Sequence, residues 1–120
     1  MTDADTTLAD LRRHVTDFVT ARDWQQFHTP KNLSAAIAIE AAELLELFQW
    51  LTEGQAAAAM ADEVECAAVA DELADVLIYA LSLANALDVD LTTAVFNKLE
   101  RNEHRFPVER WRGRAGRQPT

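Results

Sequence analysis

Two pairs of acidic residues in this sequence have the same spacing, with two residues between the members of each pair. Glu40 and Glu43 form the first pair, and Glu72 and Asp75 form the second. On a helix, side chains three positions apart lie on adjacent turns and point in the same direction. Each pair can therefore present two carboxylates to one ligand, and carboxylate oxygens are the protein ligands that Mg²⁺ prefers.

Both pairs lie on helix faces that are otherwise apolar. At about 100° per residue, Glu40 falls inside an apolar arc and Glu43 falls near its edge. Glu72 and Asp75 share a narrow stripe with Tyr79, and Ser82 lies beside that stripe. Carboxylates that converge in an apolar interior repel one another, and a divalent cation removes the conflict. The pattern predicts that both pairs supply ligands to one metal-binding site. The apolar arc around Glu40 consists of Leu33, Ala36, Ile37, Leu44, Leu47 and Leu51.

Other interpretations of acidic pairs have to be weighed against a metal site. Glu100 and Glu103 have the same spacing but lie among charged neighbours, which indicates a solvated surface. A di-iron bundle requires a Glu-x-x-His motif on two helices, and the sequence contains none. Two non-enzymatic classes stay open: an acidic helical-bundle interaction module, and a structural domain that binds a cation without turnover.

The elements that carry the acidic pairs are predicted to be helices throughout. Only three Gly and three Pro accompany abundant Ala, Leu and Glu, which favours an all-α protein. Hydrophobic periodicity predicts a four-helix bundle, whose third helix is apolar nearly all round and therefore buried. Residues 53–70 are ambiguous and could form a loose helical turn. The predicted helices run from Thr6 or Thr7 to about Arg22, from Asn32 or Leu33 to about Thr52, from about Asp71 to Leu87, and from about Leu91 to His104, with Pro107 ending the last.

Length and charge limit the classes of function. The chain has 120 residues and 49% hydrophobic residues, which suits one compact domain, assigned to residues 1–113, and a mobile basic tail at 114–120. A net charge of -9 weighs against binding to nucleic acid, and an acidic protein that handles a polyphosphate needs a cation between the two. The single cysteine, Cys66, favours a reducing compartment. No signal segment and no apolar run of about 18 residues is present, so the sequence predicts a cytoplasmic protein that does not enter a membrane.

Four stretches in a fixed order make the sequence resemble the all-α nucleotide pyrophosphohydrolases, the MazG-like and dCTP pyrophosphatase-like group, and within it the small single-domain branch. The resemblance covers residues 8–113. It implies Mg²⁺-dependent cleavage of a nucleoside triphosphate, dCTP or a related or modified pyrimidine deoxynucleotide, to monophosphate and pyrophosphate. It also implies that Mn²⁺ can substitute and that the protein assembles into a dimer or a dimer of dimers. The four stretches are RDWQQFHTPKNL, EAAELLELFQW, DELADVLIYAL and KLERNEHRFPVE.

The same resemblance assigns roles to individual residues. The metal ligands it implies are Glu40, Glu43, Glu72 and Asp75. From the chemistry of such a site, we expect one of these carboxylates, Glu43 first and Glu40 second, to orient or deprotonate the attacking water. The substrate-binding residues it implies are Trp24, Gln25 and His28 in the first stretch, Trp50 and Tyr79 at the nucleoside pocket, and Lys31, Lys98, Asn102 and Arg105 near the phosphates.

Alternatives remain for several of these residues. Trp50 follows Glu43 by seven positions, about two turns along one helix face, where an indole could stack on a base or pack in the core. Lys98 and Arg105 could equally be surface charges. Some family members carry a histidine where this chain has Val15. His14 is offset by about 100° and should not take over that contact, so base preference stays open.

Overall fold

The computed structural model describes residues 1–116, and the regular elements in this part of the chain are all helical. The predicted all-α class is confirmed. The four predicted helices correspond to the first, second, fourth and fifth, and two short helices add to them. Residues 117–120 of the predicted basic tail lie outside the described residues. The helices are α1 (Leu8–Ala21), α2 (Pro30–Glu46), α3 (Glu53–Ala59), α4 (Glu63–Leu87), α5 (Leu91–Arg105) and α6 (Val108–Trp111), with a 3₁₀ turn at Gln25–Phe27.

The chain forms two compact units, divided after Asp88. In the first unit, α4 packs most extensively against α2 and also packs against α1. In the second unit, the rings of Phe106 and Trp111 meet edge to face with their centroids 5.0 Å apart. The predicted single domain at residues 1–113 stays a prediction.

Helix α2 begins at Pro30, two to three residues earlier than predicted. Proline is favoured at the first helical position because its missing N–H has no partner there in any case. The hydroxyl of Thr29 accepts a hydrogen bond from the Asn32 amide at 3.2 Å and caps the helix. The Thr29-Pro30 pair therefore marks the N-terminus of α2.

Helix α2 ends at Glu46, well before the predicted end near Thr52. Tighter turns follow, in which the Phe48 amide donates to the Leu45 carbonyl at 2.9 Å. Thr52 caps the next helix instead: its hydroxyl accepts from the Gln55 amide at 3.1 Å, and the Gln55 side chain accepts from the Thr52 amide at 2.9 Å. This reciprocal pair is a capping box, which the spacing Thr-x-x-Gln indicates.

Helix α4 begins at Glu63, eight residues earlier than the predicted start at Asp71, and extends over 25 residues. The Asp62 carboxylate caps it by accepting hydrogen bonds from the amides of Val64 and Glu65. The alanine-rich stretch that looked ambiguous is thus α3 and the first turns of α4, in keeping with the helix propensity of alanine.

The buried core of the first unit is small. It contains Val15 and Val19 of α1, Leu33 of α2, and Leu81 and Ala84 near the end of α4. Further towards the N-terminus of α4, Leu73 is 56% exposed. The prediction that this helix is buried on all sides is wrong for the single chain, because α1 and α2 cover only part of its surface. Among the described residues, no helix has the length and apolar character needed to cross a membrane.

Candidate active site

Three carboxylates from two helices converge where α2 and α4 pack together. One oxygen from each of Glu40, Glu43 and Glu72 lies within 4.8 Å of the others. We call these three residues the acidic cluster. Asp75 is outside this group, but its charge raises the pKa of both Glu40 and Glu72. Three of the four predicted carboxylates therefore converge, and Asp75 does not join them.

Two oxygens of the acidic cluster are buried without a partner. Neither Glu40 Oε2 nor Glu72 Oε2 has a hydrogen-bond partner in the described part of the chain. Burying an ionised carboxylate is costly unless another group compensates its charge. A set of close carboxylate oxygens with unused lone pairs fits a hard divalent cation such as Mg²⁺.

The crowding of negative charge also shifts two pKa values. The pKa of Glu40 is raised by a side-chain hydrogen bond with Glu43, then by burial, and then by the charges of Glu43, Asp75 and Glu72. The pKa of Glu72 is raised first by burial and then by the charge of Glu43. Both shifts favour the protonated acids when no cation is bound.

A cavity of about 200 Å³ is lined by Asp75, the second member of the acidic pair that begins with Glu72. Asp75 and Tyr79 line it from α4, and Trp24 and His28 line it from the segment between α1 and α2. The Trp24 ring contacts the Phe18 ring edge to face, with centroids 5.8 Å apart. Three of the predicted substrate-binding residues, Trp24, His28 and Tyr79, are thus gathered beside a predicted metal ligand.

A second cavity, of about 280 Å³, lies beside the first and shares Val19, His28 and Ser82 with it. Gln25 and Val15 also line this second cavity. His14 instead lines a separate cavity formed by the N-terminal segment. As the angular argument predicts, His14 does not replace the side chain at position 15.

Five further predicted substrate-binding residues lie on α2, in the turn after it, and on α5. Trp50 lies in the turn after α2 and is 85% exposed, so the expected position two helical turns beyond Glu43 does not arise. Lys31 is exposed in the first turn of α2. Lys98, Asn102 and Arg105 belong to α5 in the second unit. Their roles stay predictions.

Sequence reasoning gave no role to Ser82 or Asn85, which both line the second cavity. Ser82 follows Asp75 by seven residues and Tyr79 by three, so all three residues lie on one face of α4. That spacing was the available signal for Ser82. Asn85 gave no such signal, because its contacts to α1 join residues far apart in the sequence.

Comparisons with known proteins find a family model and curated relatives that match most of this chain. The model of the MazG-like family matches residues 35–115. dCTP pyrophosphatase 1 of Homo sapiens is 46% identical over 102 residues, which are 85% of this chain and 60% of that protein. The Rattus norvegicus protein of the same name is 45% identical over 109 residues, 91% of this chain and 64% of its own length. This chain therefore spans less than two thirds of these curated relatives.

A solved structure is also similar along almost its whole length. The crystal structure of a pyrophosphatase from Archaeoglobus fulgidus superposes with a TM-score of 0.79 at 36% sequence identity. The match covers 89% of this chain and 98% of the archaeal one. The helical architecture of this chain is therefore that of a known pyrophosphatase structure.

Proposed function

Because the chain belongs to the MazG-like family, we propose that it is a nucleoside triphosphate pyrophosphohydrolase. Its proposed substrate is dCTP or a related or modified pyrimidine deoxynucleoside triphosphate, and its products are the monophosphate and pyrophosphate. Relatives named dCTP pyrophosphatase 1 support this choice of substrate. The observation that carries the proposal is the acidic cluster, together with a cavity that Asp75, Trp24 and Tyr79 line.

The proposed metal ligands are Glu40, Glu43, Glu72 and Asp75, with Mg²⁺ as the cation and Mn²⁺ as a substitute. A bound Mg²⁺ neutralises charge on phosphate oxygens and makes a water molecule more acidic. The unpartnered oxygens of Glu40 and Glu72 support this assignment, because a cation would supply the partner that they lack.

Glu43 is our first candidate for the group that accepts a proton from the attacking water, and Glu40 is the second. Glu43 has a carboxylate oxygen within 4.8 Å of oxygens of both Glu40 and Glu72. A carboxylate that belongs to the cluster could orient water towards a phosphate held at the same cluster.

The proposed substrate orientation places the triphosphate at the acidic cluster and the nucleoside along Tyr79, Trp24 and His28. An aromatic ring offers a base a stacking surface, and the Tyr79 hydroxyl offers a hydrogen bond to sugar or phosphate oxygens. By resemblance, we add Gln25 and Trp50 to the nucleoside site. Lys31, Lys98, Asn102 and Arg105 are assigned to the phosphates on the same basis.

We further propose that the protein acts in the cytoplasm as a dimer or a dimer of dimers. The helices that carry the acidic cluster also expose large apolar side chains. Ile39 and Leu45 of α2 are 58% and 60% exposed. Large apolar side chains that a chain leaves exposed can mark a protein interface, and a second copy of the same helices would cover them symmetrically.

Product analysis tests the proposed reaction directly. The protein is incubated with dCTP and Mg²⁺, and all nucleotides and phosphates are quantified by chromatography. We expect equal amounts of dCMP and pyrophosphate and no dCDP. Formation of dCDP and orthophosphate would refute the proposed reaction. Cation binding without turnover of any deoxynucleoside triphosphate would favour the structural cation-binding domain.

A further inference from the structure

Ser82 carries a buried hydroxyl group without a partner. Its side chain belongs to α4, is 5% exposed, and lines both cavities described above. In the described part of the chain, Ser82 Oγ has no hydrogen-bond partner. Buried polar groups in proteins are nearly always hydrogen-bonded. An unpaired hydroxyl at a cavity therefore indicates that a ligand supplies the missing bond.

Neighbouring amide groups in the second cavity are already engaged. Asn85 Nδ2 donates to Thr16 Oγ1 at 3.0 Å and to the Arg12 carbonyl at 3.3 Å. Asn85 Oδ1 accepts from Arg12 Nε at 2.8 Å, so this amide holds α1 against α4. Gln25 Nε2 donates to Thr20 Oγ1 at 2.7 Å. Among these side chains, Ser82 is the buried group whose hydrogen-bonding capacity is still unused.

The position of Ser82 on α4 relates it to the acidic cluster. Asp75, Tyr79 and Ser82 follow one another along one helix face, and the seven residues from Asp75 to Ser82 span about 10.5 Å. If the phosphates of a nucleotide lie at the carboxylates, its sugar passes Tyr79 and its base approaches Ser82. We infer this order because Asp75, Tyr79 and Ser82 succeed one another from the N-terminal to the C-terminal end of α4.

We propose that Ser82 is a specificity-determining residue whose hydroxyl hydrogen-bonds the polar edge of a single-ring nucleobase. The inference rests on the proposed function. A serine hydroxyl has one donor and two acceptor positions, so it can pair with an exocyclic amino group or with a carbonyl oxygen. The cavity of about 280 Å³ lies just below the roughly 300–1,000 Å³ that binding pockets occupy and has room for a nucleobase, and the single ring follows from the pyrimidine deoxynucleotide of the proposed function.

The variant Ser82→Ala tests this inference, with Ser34→Ala as the matched control. Ser34 is exposed on α2, and its hydroxyl donates to the Lys31 carbonyl at 2.9 Å.

KM and kcat are measured for dCTP, dTTP and dUTP, together with inhibition by inorganic tripolyphosphate, which has no base. For the best of the three substrates, we expect Ser82→Ala to raise KM about tenfold with little change in kcat. Differences among the three KM values should shrink, and inhibition by tripolyphosphate should stay the same. Ser34→Ala should match wild type.

Melting of the metal-free variant separates a ligand contact from a structural role. Removing a hydroxyl that has no protein partner should not lower the melting temperature. A lower melting temperature, or unchanged KM values with the same preference, would overturn the inference. If wild type hydrolyses none of the three nucleotides and no modified pyrimidine deoxynucleoside triphosphate such as 5-methyl-dCTP, the proposed function itself fails. If wild type is active and the variant matches it, only the role of Ser82 fails.

Discussion

The side chains of Glu40 and Glu72 lower the stability of the metal-free protein at neutral pH, and the same side chains are proposed to bind a cation. Each is half-buried, has one buried oxygen without a partner, and has a raised pKa. A carboxyl group whose pKa is raised by folding favours the folded state most below its unfolded value of about 4.3. That contribution is lost as the pH rises through the folded-state pKa.

We therefore expect Glu72→Gln to be at least as stable as wild type in EDTA near neutral pH. The difference in unfolding free energy between the variant and wild type should grow as the pH rises from about 4, where wild-type Glu72 is still largely protonated. Urea denaturation at several pH values measures this difference. Glu100→Gln, which makes the same change on the exposed face of α5, should show no such trend. A Glu72→Gln variant that is less stable than wild type at neutral pH would contradict the account.

Addition of Mg²⁺ should reverse the order of stability. A ligand that binds only the folded state stabilises it by about 2.7 kcal/mol at a hundred times its dissociation constant. Wild type should gain this stabilisation, and Glu72→Gln should gain less because it lacks one carboxylate. The same denaturation series, repeated with Mg²⁺, tests the reversal.

The boundaries of the helices determine which predicted residues can reach the site. The sequence correctly predicts α1 and α5, because 3.6-residue periodicity and the alternation of charged and apolar residues are strong local signals. Of the two acidic pairs, it correctly brings together Glu40, Glu43 and Glu72 but not Asp75. It places the end of α2 too late, because the apolar pattern continues through Leu47 and Leu51 beyond the last helical residue, Glu46. The position expected for Trp50 depended on that continuation.

Substitution of Trp50 therefore tests whether the turn after α2 takes part in nucleotide binding. Its indole is 85% exposed, so Trp50→Ala should change the unfolding free energy by no more than about 0.5 kcal/mol. If a base stacks on this ring, the variant should bind dCTP about 1–3 kcal/mol more weakly. Isothermal titration at matched protein concentration measures this loss. Trp24→Ala is a useful comparison, because Trp24 also packs against Phe18 and its loss should affect both stability and binding. Wild-type affinity in Trp50→Ala would remove Trp50 from the nucleoside site.

At the scale of the molecule, several large apolar side chains of α2 and α4 stay exposed in the folded chain, among them Ile39, Leu45, Leu73 and Leu77. Sequence periodicity identifies apolar positions but does not show whether another element of the same chain or a second chain buries them. For this reason the sequence predicts that α4 is a buried central helix, whereas Leu73 is 56% exposed in the single chain.

We expect the protein to elute as a dimer or tetramer when its mass is measured by light scattering during size exclusion. Leu45→Lys places a charge on the exposed apolar face of α2 and should shift the distribution towards smaller species. Ala9→Lys adds the same charge at an exposed position of α1 and serves as the control. A monomeric wild type at micromolar concentration would contradict self-association through this surface.

The central claim is that the acidic cluster holds a cation that is required for cleavage of a nucleoside triphosphate. The most direct test is pyrophosphate release from dCTP in Mg²⁺, after exhaustive treatment with EDTA, and after Mg²⁺ is restored. We expect activity to disappear with EDTA and return with Mg²⁺. Glu43→Gln should lower turnover by about 10²–10⁴-fold, whereas Glu100→Gln should keep the wild-type rate. Undiminished turnover in EDTA, or a wild-type rate in Glu43→Gln, would contradict the account.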